Sequence, residues 1–196
     1  KLATYAAGTT VIRATSAVDE TVYAEMQVTV QEADYSQVQY VRAGFLHHLV
    51  RFHTCPDKLV LSGEINGTDI ALLRYLSGGN NIIEEEGVMS MTACPLDSLD
   101  ISQCRIVEGG EPYYKNYLTE NNVIGKEMFK WCLFLKDIKL PNTITAIGDN
   151  AFFECGLKTL EIPASVKTIG YAPFYGSTGI DSFTVAEGNT AFKTED

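Results

Sequence analysis

The most regular pattern in the chain is an alternation of apolar and polar positions that occurs twice in its C-terminal half. Residues 135–152 read LKDIKLPNTITAIGDNAF, and residues 157–174 read LKTLEIPASVKTIGYAPF. Both copies fit the pattern L-x-x-I-x-L-P-x-x-I-x-x-I-G-x-x-x-F, with Leu, Ile and Val exchanging at the apolar positions. Ile124 and Phe129 belong to an earlier copy, and Ile180 begins a further copy of the strand.

This repeat predicts a solenoid. A unit of about 22 residues is too short to bury its own apolar face, whereas stacked units bury that face against each other. The alternating pieces predict short strands, which Pro141 and Pro163 end because proline has no amide proton. Gly148 and Gly170 predict a tight corner at which glycine adopts backbone angles that other residues avoid. The phenylalanine of each copy is expected to stack on the next along the core. These phenylalanines are Phe129, Phe152 and Phe174.

Similar alternating pieces occur earlier in the chain at wider spacing. The intervals from Leu61 to Ile101 and from Ile101 to Leu140 are each nearly twice the regular repeat. Rungs with insertions are expected towards the end of a repeat array, where repeats become irregular. The pattern therefore predicts five neighbouring parallel strands in one sheet. The strands are centred, in this order, on Leu59, Leu99, Ile138, Leu160 and Phe183.

Two segments have the spacing of helices. Residues 68–78 predict a short helix with Thr68 or Asp69 as its N-cap and Gly78 at its end. Residues 38–52 carry apolar side chains three and four positions apart, which predicts an amphipathic helix. Because the first rung would otherwise expose its apolar face, this second helix is expected to cap the array.

The N-terminal segment differs from the rest. Residues 9–30 contain two alternating runs around an acidic turn, and this predicts a β-hairpin that is separable from the array. The hairpin is similar to the last strands of a bacterial Ig-like domain of the second group, which needs roughly 80 to 100 residues. The predicted organisation is a partial Ig-like segment at residues 1–31, a linker at 32–37, and a repeat domain at 38–196. The repeat domain divides into an N-terminal cap with irregular rungs, 38–123, and regular repeats, 124–196.

The repeats resemble the BspA-like leucine-rich repeats, also called the Treponema pallidum type. Residues 62–76, 99–114 and 121–132 are similar to the N-terminal flank that these proteins carry in Bacteroides and its relatives. The resemblance implies an α+β fold, a right-handed leucine-rich repeat solenoid with short parallel strands, an N-terminal helix cap and a preceding β-hairpin. Two residues depart from the family pattern: Pro173 replaces an alanine, and Ser177 replaces the repeat cysteine.

Charge and cysteine content narrow the possible functions. The chain has 15 Lys and Arg residues and 25 Asp and Glu residues. The resulting net charge of -10 disfavours nucleic acid as a partner. No apolar run approaches the roughly 18 residues that span a bilayer. The five cysteines include no C-x-x-C motif. Cys132 and Cys155 occupy the same repeat position, and buried reduced thiols are favoured there over a disulfide.

No group of residues predicts catalysis, a metal or a cofactor. His47, His48, His53 and Cys55 lie within nine residues. Adjacent histidines on a helix point about 100° apart, and the i, i+4 pair that would bind zinc is missing. All three histidines lie within seven residues, and the chain has neither a G-x-S-x-G motif nor a phosphate-binding loop. The acidic run at residues 84–86 indicates a solvated loop. The protein is therefore not expected to be an enzyme.

The outward positions of the predicted strands form a candidate partner-binding face. Its residues are Asp137, Lys139, Thr159, Glu161, Ser182 and Thr184. The competing interpretation is a stabilising charge ladder in which Asp100, Lys139 and Glu161 alternate in sign. A second candidate surface is an aromatic loop, where exposed rings would stack on sugars. Its residues are Tyr113, Tyr114 and Tyr117, with Trp131 as a further candidate.

The resemblance implies a non-catalytic module at the outer cell surface that adheres to host proteins or to other bacteria. An Ig-like stalk is consistent with such a location. Two alternatives stay open: an architectural spacer without a specific ligand, and a carbohydrate-binding accessory protein at the cell surface. The ligand itself, a protein or a glycan, is not identified by the sequence.

Overall fold

The computed structural model describes residues 8–19, 21–30, 34–35, 37–50, 56–79 and 95–194. The chain divides into two compact units, Lys1–Asp34 and Tyr35–Asp196. The described residues form one α-helix and eleven strands. They are β1 (Gly8–Thr15), β2 (Tyr23–Val30), β3 (Val38–Val41), β4 (Lys58–Ile65), α1 (Gly67–Leu76), β5 (Ser98–Ile106), β6 (Val123–Ile124), β7 (Asp137–Lys139), β8 (Ala146–Ile147), β9 (Thr159–Ile162), β10 (Thr168–Ile169) and β11 (Ser182–Val185).

The first unit contains an antiparallel hairpin. β1 and β2 pair over their full length, from Gly8 opposite Val30 to Thr15 opposite Tyr23. Arg13 Nε donates to Glu25 Oε1 at 2.7 Å across the strands. A two-stranded sheet alone is marginally stable in water. The assignment of this hairpin to an Ig-like domain stays a prediction.

The second unit is built from rungs that stack in parallel. β3, β4, β5 and β7 form one parallel sheet, in which Leu59 lies opposite Leu99 and Leu99 opposite Ile138. The inward side chains at these positions are buried, as the alternation predicts. On another side of the rungs, β6, β8 and β10 form a second parallel sheet. Each of the two regular repeats therefore supplies one strand to each of two sides of the stack.

The strands do not form the single five-stranded sheet that the pattern predicts. β9 pairs with β11, placing Leu160 opposite Phe183, but no ladder joins β7 to β9. The two strands still lie side by side, because Lys158 N donates to Lys136 O at 2.9 Å just before them. We call this interruption the seam. The prediction is wrong here because apolar alternation specifies which side chains face inward, not whether neighbouring strands complete a ladder.

The predicted helix over residues 38–52 is also wrong. The segment begins with β3, which pairs in parallel with β4, and continues into a 3-10 turn at Leu46–His48. Val41, Leu46 and Val50 are buried, whereas Phe45, which the helix would bury, is 46% exposed. The apolar positions that suggested a helix therefore do not share one buried face, since Val38 is also 48% exposed. The edge of the first rung is a strand, and residues 51–52 lie outside the described range.

The helix α1 forms where predicted but starts earlier. Its N-cap is Asn66 rather than Thr68 or Asp69, and Gly78, at φ 84°, follows its end. The Asp69 carboxylate is only 1% exposed and accepts N–H groups from Asn66 at 3.0 Å, from Gly44 at 2.6 Å and from Leu46 at 2.9 Å. Asp69 therefore ties the turn after β3 to the start of the helix. In the described part of the chain, no helix has the length and apolar character that a bilayer crossing requires.

Stacked phenylalanines hold successive rungs together. The ring centroids of Phe129 and Phe152 are 5.4 Å apart, and those of Phe152 and Phe174 are 5.7 Å apart, with nearly parallel planes. The backbone of the same turns is bonded across rungs, because Phe129 N donates to Ala151 O and Phe152 N to Pro173 O, both at 2.7 Å. The predicted stack is confirmed.

The repeat glycines have a different cause from the one predicted. The φ angle of Gly148 is not positive, so the corner does not require unusual backbone angles. A side chain at Gly148 would instead place its Cβ 2.8 Å from Lys126 N on the preceding rung. Close approach of two backbones excludes larger residues there. The left-handed positions of the repeat are others, among them Asn150 and Ala172.

The repeat cysteines are buried free thiols. The Cys155 Sγ lies 3.3 Å from the Cys132 carbonyl oxygen, and neither sulfur forms a disulfide. Burial raises the pKa of the Cys132 thiol to about 11. Ser177, at the third such position, is also buried; its Oγ donates to Phe152 O at 2.7 Å and accepts from Cys155 N. Cys55 and Cys94 lie outside the described residues.

Two buried charged residues connect α1 to the first regular turn. Arg74, fully buried, donates through Nη1 to the carbonyls of Glu127 and Met128 at 2.9 and 2.7 Å. The Glu127 side chain itself lies 3.1 Å from Lys115 Nζ and 3.5 Å from Lys130 Nζ. Burial alone would raise the pKa of Glu127, but the Lys115 hydrogen bond and the charges of both lysines lower it below its usual range.

We expect Glu127→Gln to destabilise the repeat unit at neutral pH by about 1–2 kcal/mol, discounted because Lys115 is exposed. A carboxylate whose folded pKa is depressed contributes stability above its unfolded pKa and loses it as the pH falls through the folded pKa. The difference in urea-unfolding free energy between wild type and variant should therefore shrink between neutral and acid pH. A difference that stays constant over that range would contradict the ion-pair assignment.

Deletion of residues 1–34 should leave the repeat unit folded, because the buried apolar core lies between Val41 and Val166. Urea unfolding followed by circular dichroism is expected to show one cooperative transition with an unchanged midpoint. Insoluble protein, or a broad transition, would show instead that the deleted segment stabilises the array.

Candidate functional site

The six residues of the predicted binding face lie together along one shallow groove of about 430 Å³, centred on the seam. Five further residues complete its lining: Ser102, Ile138, Leu140, Leu160 and Pro163. Side chains alternate between the two faces of a strand, so the outward residues of β7 and β9 present their side chains to the groove, whereas Ile138 and Leu160 point inward and are buried. The groove crosses β5, β7, β9 and β11 and is open to solvent.

Lys139 and Asp100 neutralise each other's charge at the β5 side of the groove. Lys139 Nζ lies 3.3 Å from Asp100 Oδ2, and Asp100 Oδ1 accepts the N–H of Ser102 at 3.0 Å and its hydroxyl at 2.6 Å. Burial would raise the pKa of Asp100, but the Ser102 hydrogen bonds and Lys139 lower it below its usual range. The predicted charge ladder thus forms only in its first half. The side chain of Glu161, the third member, makes no hydrogen bond or ion pair to a described residue.

The aromatic loop does not provide the exposed rings that a sugar platform requires. Tyr113 is 1% exposed and donates its hydroxyl to Lys126 O at 2.8 Å. Tyr114 is also buried, with the Arg74 guanidinium 4.4 Å from its ring centroid. Both rings are part of the core, which corrects the prediction of an exposed loop for these two residues. The sequence could not show this, because Arg74 is far away along the chain.

Tyr117 is the loop residue that reaches the surface. It is half-buried and lines a second shallow pocket of about 250 Å³. The other lining residues are Tyr113, Asn116, Leu118, Glu120, Gly125 and Lys126. Lys126 Nζ lies 5.6 Å from the centroid of the Tyr117 ring, so one cation is already near this ring.

A further aromatic column, which the sequence analysis missed, lies on the phenylalanine turns. Phe153 and Tyr175 stack with centroids 5.4 Å apart. Lys130 Nζ lies 4.5 Å from the Trp131 centroid and 4.8 Å from that of Phe153, and Trp131 Nε1 donates to Glu154 Oε2. The signal was the spacing of Phe153 and Tyr175, which equals one repeat. Lys130 already lies over the Trp131 ring, so a sugar would compete with this cation for that face.

The histidines form no site in the described part of the chain. His47 and His48 are both exposed, with ring centroids 4.0 Å apart. No cluster of three or more potential metal ligands occurs among the described residues. His53, Cys55 and the glutamates at residues 84–86 lie outside that range.

Residues 119–195 match the family model described as BspA type leucine rich repeat region (6 copies). No curated protein matches the sequence. A solved structure of a leucine rich cell surface protein from Faecalibacterium prausnitzii A2-165 is 18% identical and has a TM-score of 0.39. That match covers 70% of this chain and 42% of the other chain, so the chain spans less than half the length of that neighbour. The matched repeats include every residue of the predicted binding face, and residues 119–195 form a repeat region of the BspA-like leucine-rich type.

Proposed function

We propose that the chain is a non-catalytic binding module that contacts a protein partner through the groove at the seam. The observation that carries this proposal is the convergence of all six outward residues on one continuous groove. Ile138 on β7 and Leu160 on β9 are buried opposite the outward side chains, so the core supports these two strands, whereas Phe183 on β11 is 41% exposed. A polar surface that crosses four strands suits an extended macromolecular contact.

The chemistry of the groove supports binding rather than catalysis. The described residues that line it include no histidine or cysteine, and its hydroxyl groups have no general base of that kind beside them. The groove is open, whereas small-molecule sites are usually concave and bury most of the ligand. Hydroxyls and charged groups on an open surface instead suit a broad contact of modest affinity.

The proposed location of the module rests on the similarity of its repeats to the BspA type. BspA-like repeats support a place at the outer cell surface, where the module would adhere to a host protein or to another bacterium. The N-terminal hairpin is consistent with an Ig-like stalk in the same protein. This placement rests on the family and not on a site within the chain.

A second candidate function is glycan binding at the Tyr117 pocket. Tyr117 provides a partly exposed ring, while Asn116, Glu120 and Lys126 provide hydrogen-bonding groups around it. An aromatic ring with polar groups beside it is the combination that sugars require, which favours this pocket over the buried rings of Tyr113 and Tyr114.

Thr159→Trp tests the groove directly. Thr159 is exposed on β9, so an indole there should fill the groove with little effect on the free energy of unfolding. Binding to any partner found by screening this chain against matrix proteins and glycans should weaken by about tenfold or more, measured by surface plasmon resonance. The matched control is Thr168→Trp, which changes an exposed strand threonine on the second sheet, outside the groove.

Three other outcomes would each reject the groove. If Thr159→Trp binds as wild type while Tyr117→Ala abolishes binding, the second pocket carries a glycan-binding function. If Thr168→Trp weakens binding as much as Thr159→Trp, the effect is not specific to the groove. A screen without any ligand would favour the architectural spacer.

A further inference from the structure

We propose that the partner presents lysine or arginine side chains from an extended segment to two uncompensated carboxylates, Asp137 and Glu161, on opposite sides of the seam. This inference rests on the proposed function, because it identifies the kind of partner that the groove accepts. It depends on which charges at the groove are already neutralised and which are not.

Among the described residues, the only basic side chain that lines the groove is already engaged. Lys139 forms an ion pair with Asp100 Oδ2, and the other carboxylate oxygen of Asp100 accepts two hydrogen bonds from Ser102. This pair is electrically neutral and both oxygens of its acidic member are occupied. The pair therefore keeps Lys139 at the β5 side of the groove, away from Glu161.

The two acidic side chains of the lining are not compensated. Asp137, on β7, accepts one hydrogen bond from the neutral Ser98 hydroxyl at 3.3 Å. The Glu161 side chain, on β9, is exposed and has no partner among the described residues. Lys136, beside β7, pairs with Asp97 at 3.2 Å and does not line the groove. The centre of the groove thus carries two negative charges with no counter-ion in the part of the chain that the structure describes.

The rest of the lining accepts an extended segment without selecting its charge. Thr159, Ser182 and Thr184 offer hydroxyls that donate or accept hydrogen bonds. Alternate side chains of an extended segment point to the same side, so two basic residues separated by one other residue could reach both carboxylates. The net charge of -10 attracts the same partner at longer range and repels acidic ones.

The test uses the whole chain and two labelled peptides, one of alternating lysine and threonine and one of alternating glutamate and threonine. Fluorescence anisotropy should show that the lysine peptide binds and the glutamate peptide does not. The affinity for the lysine peptide should fall as salt is added. The double variant Asp137→Asn/Glu161→Gln should bind the lysine peptide about two- to tenfold more weakly, as expected for two exposed charge pairs. Lys139→Met should bind it more tightly, by about twofold, because it frees Asp100.

The control is Glu108→Gln/Glu111→Gln, which removes the same charge from two exposed carboxylates outside the groove. Its affinity should stay within about twofold of wild type if the groove, rather than net charge, is responsible. Equal weakening in control and test variants would overturn the inference, as would equal binding of both peptides. If Thr159→Trp blocks a screened partner but the charge variants do not, the proposed function stands and the basic partner is wrong. If neither Thr159→Trp, nor Asp137→Asn/Glu161→Gln, nor Lys139→Met affects the binding of any ligand, the groove is not the binding site.

Discussion

The structure depends on burial of apolar surface between consecutive rungs. No rung of about 22 residues encloses a core, so each depends on the next one to cover its leucines and its phenylalanine. Phe152 shows the constraint most clearly, because its ring lies between Phe129 and Phe174 and its N–H bonds the following rung. Gly148 follows from the same requirement, since backbones packed this closely leave no room for a Cβ.

Inward positions of the repeat could therefore be predicted from the sequence, since burial requires apolar residues at a fixed period. The registers of Leu59, Leu99 and Ile138, and that of Leu160 with Phe183, follow from this period. The first rung could not be predicted in this way, because two of its apolar positions with helical spacing, Val38 and Phe45, are exposed rather than buried.

Contacts between distant residues left no local signal. Asp69 accepts N–H groups from residues more than 20 positions earlier, and Arg74 donates to carbonyls more than 50 positions later. Both satisfy buried backbone groups in the irregular part of the array, where the repeat cannot do so. The burial of Tyr114 against Arg74 is a consequence, and it removes a ring that the sequence alone suggested was exposed.

The candidate site shows the same division between what the period specifies and what it leaves free. Alternation alone placed Asp137, Thr159 and Ser182 on the outward face, but the seam that gathers them into a groove depends on strand pairing that no side-chain pattern encodes. The aromatic column of Phe153 and Tyr175 is also periodic, yet its rings stack on each other and serve the fold. The outward strand residues do not stack on each other in this way, and they can be substituted with little loss of stability. We therefore propose that specificity in this chain depends on a few charges, and above all on which carboxylates Lys139 neutralises and which it leaves for a partner.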